Sequence, residues 1–261
     1  MRIGILTGSG TYGLDGVDGP RLVETEHGAA RVSQGTLAGH EILHISRHGE
    51  GHERLSSQVD HRAHIAALRD LGAEAILAVT VCGAVDRSLA LGDLVVFDDI
   101  WFLGNRLADG SLCTLHTEPG APGRAHWVFE DPFDAHLRSA LLGAGRAAGL
   151  AIRDGGCYGH VDGPRFNTRA EIRMLAQAGV SAVSQTAGPE TVLAGEARIP
   201  YALLGFVTDY ANAVAEQPTP LAELVRLIGE SSQRFAAALS GALERIDQAA
   251  LKPVGSQITW D

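Results

Sequence analysis

The sequence predicts an α/β fold in which a single domain holds a mixed, largely parallel sheet flanked by helices. Short apolar stretches of strand length alternate with longer stretches whose apolar residues recur at helical spacing. This alternation is typical of sheets covered by helices on both faces. The chain has 261 residues and is 45% hydrophobic, enough to bury a substantial core. Because no repeat or low-complexity linker interrupts it, we treat residues 1–261 as one domain.

The first half of the chain contains one predicted helix and four predicted strands. The helix, His61–Leu71, has apolar residues at helical spacing and ends at Gly72. The strands are the short apolar runs Arg2–Leu6, Glu41–Ser46, Ala75–Val81 and Leu94–Ile100.

The second half begins with a Gly- and Pro-rich stretch, Asp109–Gly123, which we expect to be a surface loop. Thr168 and Glu171 have the spacing of a capping box, which predicts that a helix begins there. The other predicted elements are helices at Ala135–Ala148, Pro189–Ala197 and Thr219–Asp247, and strands at Val180–Ser184 and Tyr201–Thr208.

Charge and cysteine content narrow the classes of function. The net charge is −10 and no long basic run occurs, so we expect no nucleic-acid partner. The three cysteines form no CxxC pair, which favours reduced thiols. No apolar run approaches a membrane span and no leader pattern is visible, so we expect a cytoplasmic protein without a membrane partner.

Five predicted strands end in polar or glycine residues. In α/β folds, ligands bind at the carboxyl ends of strands, so these ends mark the expected site. They are Thr7–Gly10, Arg47–His52, Thr80–Gly83, Gln185–Gly188 and Thr208–Asn212.

The first of these ends, Gly8 to Gly13, matches the pattern GxGxxG of dinucleotide-binding folds. That interpretation requires a helix to begin at the loop, and the glycines and proline that follow do not allow one. A phosphate-binding loop is the alternative, with backbone N–H groups and the Ser9 hydroxyl as donors. A plain tight turn would explain the same residues.

Arg47 and His48 follow the second strand. An arginine fork suits a phosphate, although a salt bridge would explain it equally well. Histidines recur every fourth residue from His40 to His52, but glycines break the stretch, so we expect no metal site.

Three further segments carry candidate chemistry. Thr80 could line a small-ligand pocket, and Cys82 has no evident base that would make it a nucleophile. Phe166 and Asn167, just before the capping box, suit stacking on a flat ring and reading of its edge. Asp209 is either a helix cap or an acceptor for a heterocycle.

Taken in order, these strings resemble the trimeric purine nucleoside phosphorylase family, and within it the 5′-methylthioadenosine phosphorylases. The resemblance runs from Ile3 to Asn212. It is carried by GSG, SRHG, VTVCGAV, LGDLVVFDD, HxxxxDPF from His126 to Phe133, DGPRFNTRAE, QTxxPExVLAxEA and VTDY.

The resemblance implies that inorganic phosphate, the only co-substrate, attacks the anomeric carbon of a purine nucleoside and releases the base, as in purine salvage. It implies no other cofactor and no metal. It places the catalytic role on Asp209, Arg47 and His48. It assigns phosphate binding to Ser9, Arg47, His48, Thr80, the Val81 amide and Thr186.

The resemblance also implies that Phe166 stacks on the base and that Asp209 holds its N7 and 6-amino edge. His126 resembles a residue that a neighbouring subunit lends to the 5′ pocket, which implies a homotrimer. Asp209 favours a 6-aminopurine, because a carboxylate accepts from an amine and repels a carbonyl oxygen.

Several positions depart from the family pattern. Ala211 replaces the second acid of TDxD, and Gln185 replaces a methionine and could bind the ribose hydroxyls. Asn167 can donate or accept, so it does not choose between 6-amino and 6-oxo purines. The family's NYxAN string reads Asp60 to His64 here. Phosphorylases of 6-oxopurine or other 5′-substituted nucleosides, a hydrolytic nucleosidase and a non-catalytic nucleoside-binding protein remain alternatives.

Overall fold

A computed structural model describes residues 1–260 of the chain. The helices are α1 (His61–Asp70), α2 (Ala135–Ala147), α3 (Arg169–Gln177), α4 (Ala187–Glu196) and α5 (Leu221–Leu243). The strands are β1 (Arg2–Thr7), β2 (Arg21–Thr25), β3 (Gly28–Leu37), β4 (His40–Ser46), β5 (Ala75–Ala84), β6 (Leu94–Val96), β7 (Asp99–Trp101), β8 (Ala125–Phe129), β9 (Ile152–Asp154), β10 (Cys157–His160), β11 (Val180–Ser184), β12 (Tyr201–Tyr210) and β13 (Gly255–Thr259).

Within residues 1–260, eleven strands form one mixed sheet. Its main path runs β2-β3-β4-β1-β5-β11-β10-β7. Off this path, β12 pairs with β5 and β6, and β6 pairs with β9. The central pairs β4–β1, β1–β5 and β5–β12 are parallel, and the hairpins and the β11–β5 pair are antiparallel. The predicted fold class, a largely parallel sheet flanked by helices, is therefore confirmed.

The helices cover the two faces of this sheet. Side chains of α2 and α5 pack with Ile3 and Ile5 on one face. Side chains of α1 and α4 pack with Leu6 on the other. This two-sided burial explains why β1 is continuously apolar, since alternate residues of a strand point to opposite faces.

The predicted elements agree with most of the observed ones. The capping box of Thr168 and Glu171 is present, and Thr168 Oγ1 accepts from the Glu171 N–H. The helix predicted from Pro189 begins two residues earlier, at Ala187. None of the helices described is long and apolar enough to cross a bilayer.

The single strand predicted at Leu94–Ile100 is wrong, because the chain forms two strands there. β6 pairs with β12 and β9, whereas β7 pairs with β10. The change of partner falls at Phe97 and Asp98, where the Asp98 carboxylate accepts from the Gly156 N–H at 2.8 Å. The apolar run is continuous, so the sequence alone does not reveal this break.

Candidate functional site

A cavity of about 330 Å³ opens at the carboxyl ends of the central strands. Every one of the five strand ends picked out in the sequence contributes to its wall. The α5 residues Leu224 and Ile228 and the loop residues Pro164, Phe166 and Asn167 complete it. The parallel pairing of β4, β1, β5 and β12 is what brings these distant segments to one edge.

One end of the cavity is formed by the loop after β1. Gly8 and Ser9 line it, and the Thr11 N–H donates to the Gly8 carbonyl at 3.0 Å. No helix follows, because residues 11–20 form turns and irregular backbone. The dinucleotide interpretation is thereby excluded, and the loop remains a compact turn with the Ser9 hydroxyl available.

Hydroxyl groups from the neighbouring strand ends line the same cavity. Thr186 is buried just before α4, and its side chain makes no capping hydrogen bond. Thr80 Oγ1 lies 3.1 Å from Ser184 Oγ and donates to the Val81 carbonyl at 3.0 Å. Ser184 was not singled out in the sequence. Its only signal there is its place at the end of a buried strand.

His48 lines the cavity with a defined tautomer. Its Nδ1 lies 2.9 Å from the Arg54 carbonyl and must donate to it, so in the neutral ring Nε2 carries the lone pair. Burial, and after it the neighbouring His52, lower the pKa of His48 to about 4. The His48 imidazole is therefore neutral at pH 7.

His52 is a cavity residue that the sequence analysis missed as a ligand candidate. Its ring stacks on His48 with centroids 4.2 Å apart, and its Nδ1 lies 3.2 Å from Tyr12 Oη. The backbone of His52 is left-handed, with φ 63°. A non-glycine residue in that region is strained, a feature that often accompanies function.

Arg47 does not present a free guanidinium fork to the cavity. Its guanidinium is 0% exposed and forms a two-point ion pair with Glu190, one bond measuring 2.8 Å. Its Nη1 also donates to the Val79 carbonyl at 2.6 Å. A salt bridge was the alternative interpretation of this residue, and the one observed is fully buried.

Both members of the buried pair, Arg47 and Glu190, are ionised. Burial alone would raise the pKa of Glu190, but the charge and hydrogen bonds of Arg47 outweigh it and lower that pKa below the ordinary value. Arg47 lies directly behind the first loop, with Nη1 3.2 Å from where a Cβ on Gly8 would stand. Direct contact of Arg47 with phosphate stays a prediction.

Gln185 ties three segments together at the middle of the cavity. Its Oε1 accepts from Ser56 Oγ at 2.8 Å, and its Nε2 donates to the Arg165 carbonyl at 3.1 Å. A Cβ on Gly163 would overlap both Gln185 and Ser56, so only glycine allows this close junction. The Gln185 amide is thus oriented before any ligand binds.

The opposite end of the cavity is lined by a carboxylate, Asp209, and an aromatic ring, Phe166. Asp209 is half-buried, and Thr208 Oγ1 donates to its Oδ1 at 3.0 Å. Burial raises the pKa of Asp209, and the Thr208 hydrogen bond opposes this only in part. Phe166 is 69% exposed and forms part of the rim.

Two amides connect the rim to the end of β12. Asn212 Nδ2 donates to the Asn167 carbonyl at 2.6 Å. Asn167 Nδ2 lies 3.4 Å from Glu171 Oε2. This contact joins Asn167, which departs from the family pattern, to the residue that follows Ala211.

Cys82 also lines the cavity. Burial, and then the charge of Asp209, raise the pKa of its thiol well above the ordinary range. A thiol held protonated is a poor nucleophile. The geometry therefore agrees with the sequence argument against Cys82 as a nucleophile.

His126 lies away from its own chain's cavity. It is exposed on β8, which pairs with β13, and its ring packs edge-on against Trp260 with centroids 6.2 Å apart. Its predicted role, in the pocket of a neighbouring subunit, stays a prediction.

Comparisons with known proteins agree with this geometry. Residues 2–244 match the model of the family described as the phosphorylase superfamily. The chain is 35% identical to a probable 6-oxopurine nucleoside phosphorylase of Thermococcus kodakarensis, with 94% of this chain and 92% of that protein covered. It is 32% identical to S-methyl-5′-thioadenosine phosphorylase of Thermofilum pendens, with 95% and 93% covered.

A solved structure is similar over nearly the whole chain. Methylthioadenosine phosphorylase from Schistosoma mansoni, in complex with adenine, superposes with a TM-score of 0.82 at 27% identity, covering 93% of this chain and 90% of that one. These relatives have purine nucleoside phosphorylase activities in their names, divided between two substrate types. The chain therefore belongs to the phosphorylase superfamily.

Proposed function

We propose that this protein cleaves a 6-aminopurine nucleoside with a modified 5′ position, such as 5′-methylthioadenosine, by phosphorolysis. The products are the free base and a ribose 1-phosphate. The observation that carries the proposal is the polarity of the cavity. Hydroxyl groups and a neutral imidazole line one end, and a single carboxylate and an aromatic ring line the other.

The first end suits inorganic phosphate. Ser9 and Thr186 donate from their hydroxyls, Thr80 and the Val81 amide complete the cradle, and His48 lies beside them. Arg47, held in position by Glu190, lies behind the loop with its Nη1 towards Gly8. Holding phosphate in place beneath the sugar converts the attack into a step within one complex, which lowers the barrier.

The second end suits an amino-substituted purine. The Asp209 carboxylate can accept from the 6-amino group and share a proton with N7. A proton delivered to N7 neutralises the departing base as the bond to the anomeric carbon breaks. The raised pKa of Asp209 favours that transfer.

The 5′ substituent and the assembly are finer parts of the proposal. Leu224 and Ile228 give the cavity an apolar wall next to the Ser9 loop, which favours an apolar 5′ group such as methylthio over a hydroxyl. His126 would close this pocket in a neighbouring subunit of a homotrimer. We place the enzyme in cytoplasmic purine salvage.

A panel of nucleosides tests the proposal. 5′-Methylthioadenosine, adenosine and inosine are each incubated with the protein, with and without phosphate, and base release is followed. Phosphate-dependent release that is fastest with 5′-methylthioadenosine is expected.

Other outcomes reject it in distinguishable ways. Fastest release from inosine would favour the 6-oxopurine type, which the name of the Thermococcus kodakarensis relative also suggests. Release that ignores phosphate would favour a hydrolase, although Asp209 is the only carboxylate lining the cavity among residues 1–260. Binding without turnover would indicate a non-catalytic nucleoside-binding protein.

A further inference from the structure

A second cavity, of about 250 Å³, lies behind the wall at the carboxylate end of the first. Tyr210, Ala211 and Asn212 line both cavities. The two spaces therefore border the same short segment, which follows Asp209.

This wall is thin at Ala211. The residue offers only a methyl group and is 8% exposed. Its backbone is fixed, since its N–H donates to the Ala84 carbonyl at 2.9 Å and its carbonyl accepts from the Val214 N–H at 3.0 Å. No charged or bulky side chain at this position separates the two cavities.

The second cavity contains two arginines without partners. Neither Arg87 nor Arg169 forms an ion pair or hydrogen bond through its guanidinium to any residue that the structure describes. Among residues 1–260, Glu216 is the only acid that lines the same space, so the side chains lining it carry a net charge of +1. Both arginines are exposed, and they give this space a local excess of positive charge in a chain of net charge −10.

Two residues that line the second cavity, Arg169 and Ala213, are unfavourable in their local backbone positions. Arg169 is the first residue of α3, where a cation opposes the helix dipole. Ala213 also lines the cavity and has a left-handed backbone, with φ 68°. Residues that break local rules without a compensating contact are expected at functional positions.

We propose that the second cavity receives an acid-bearing substituent on the 6-amino group of the purine. This inference rests on the proposed function. A substituted amine keeps one N–H, so Asp209 can still accept from it. The substituent replaces the other hydrogen, passes Ala211 and brings a carboxylate to Arg87 and Arg169.

The chemistry of the two arginines fits this ligand. A guanidinium fork binds a carboxylate through two parallel hydrogen bonds, and both arginines are free to do so. The bond from Asn212 to Asn167 on the same wall is exposed, so water can replace it when the substituent enters. The preferred base is thus an N6-carboxyalkyl adenine.

Equilibrium binding of three bases tests the proposal. Calorimetry compares adenine, N6-(2-carboxyethyl)adenine and N6-(3-methylbutyl)adenine, the last being neutral and similar in shape to the acid. We expect the acid to bind about tenfold or more tighter than its neutral counterpart, as a charge-assisted contact allows. In the variant R87Q/R169Q this preference disappears, while adenine binding is unchanged.

Two further variants sharpen the test. R173Q, also on α3 but outside both cavities, should keep the preference. R169E should bind N6-(2-aminoethyl)adenine better than the acid. Equal binding of the acid and its neutral counterpart, or a preference that survives R87Q/R169Q, would overturn the inference. Cleavage of 5′-methylthioadenosine with phosphate, assayed on the same samples, separates this failure from failure of the proposed function.

Discussion

At the scale of single residues, the carboxylate of Asp209 carries the base assignment. It is half-buried, receives one hydrogen bond from Thr208 and faces the cavity without a cationic partner. A carboxylate in this setting accepts hydrogen bonds but donates none while ionised. We therefore expect it to select for a base that presents N–H groups.

The substitution D209N tests this selection. An amide can donate to a 6-carbonyl, so the ratio of kcat/KM for inosine to that for 5′-methylthioadenosine should rise. The activity with 5′-methylthioadenosine should fall by about 10²–10⁴-fold, because the proton donor to N7 is lost. An unchanged ratio, in a variant whose circular dichroism matches the parent, would contradict the base assignment.

Arg47 combines an observed ion pair with Glu190 and a predicted role in binding phosphate. Its buried partner Glu190 stands far away in the chain, so the pair was invisible in the sequence. Removing one member leaves an uncompensated buried charge, whereas removing both leaves no buried charge unpaired.

A double-mutant cycle separates the two roles. R47M and E190L should each lose about 3–5 kcal/mol of unfolding free energy in urea, and R47M/E190L should be more stable than either. If the charge of Arg47 also serves phosphate, the KM for phosphate stays raised in the double variant. A double variant less stable than both singles would contradict the pairing.

Residue types at strand ends were predictable, but their partners were not. The glycine loop, His48, Thr80, Thr186 and Asp209 were identified from the sequence because ligands bind at strand ends. Ser184 and His52 were missed, since their importance comes from contacts with Thr80 and His48 that only the fold creates. A carboxylate at position 190 looks like an ordinary helix residue until Arg47 is placed beside it.

At the scale of elements, the loop after β1 depends on its contact with α5. Gly10 has φ 82°, and a Cβ there would overlap the Ile228 carbonyl oxygen. Gly13, in the same loop, has nothing within 4 Å of an added Cβ. A substitution of Gly13 by alanine is therefore a matched control for the same substitution at Gly10.

G10A should lower the unfolding free energy by about 1–3 kcal/mol, because alanine is strained at positive φ and clashes with α5. It should also raise the KM for phosphate, since the Ser9 hydroxyl moves with the loop. G13A should leave both quantities near those of the parent. Equal effects of the two substitutions would show that the loop does not depend on this contact.

Strands with strong apolar runs were predictable, whereas edge elements were not. β1, β5 and β12 are buried on both faces and stand out in the sequence. β8 and β13 are short, partly exposed and pair with each other from distant positions. Nothing local in either segment encodes that pairing.

At the scale of the whole molecule, buried histidines link stability to pH. Burial is the largest cause that lowers the pKa of His44 and His48 to about 4 and that of His64 and His160 to about 3. Their ordinary value is 6.5. Between these values the unfolded chain binds protons that the folded chain rejects, so stability is lost as pH falls from 6.5 towards 4.

The variant H64N tests this linkage, because asparagine does not titrate. The slope of unfolding free energy against pH should fall by up to about 1.4 kcal/mol per pH unit between pH 5 and 6. Above about pH 8, where a histidine is neutral in both states, the slopes of parent and variant should coincide. Identical slopes at acid pH would contradict burial of a neutral His64.

The most direct test of the whole account is the phosphate requirement of base release from 5′-methylthioadenosine. Adenine and 5-methylthioribose 1-phosphate should appear in equal amounts, and release should saturate with phosphate and stop when phosphate is removed. Adenine release at the same rate without phosphate, with free methylthioribose as the second product, would contradict it.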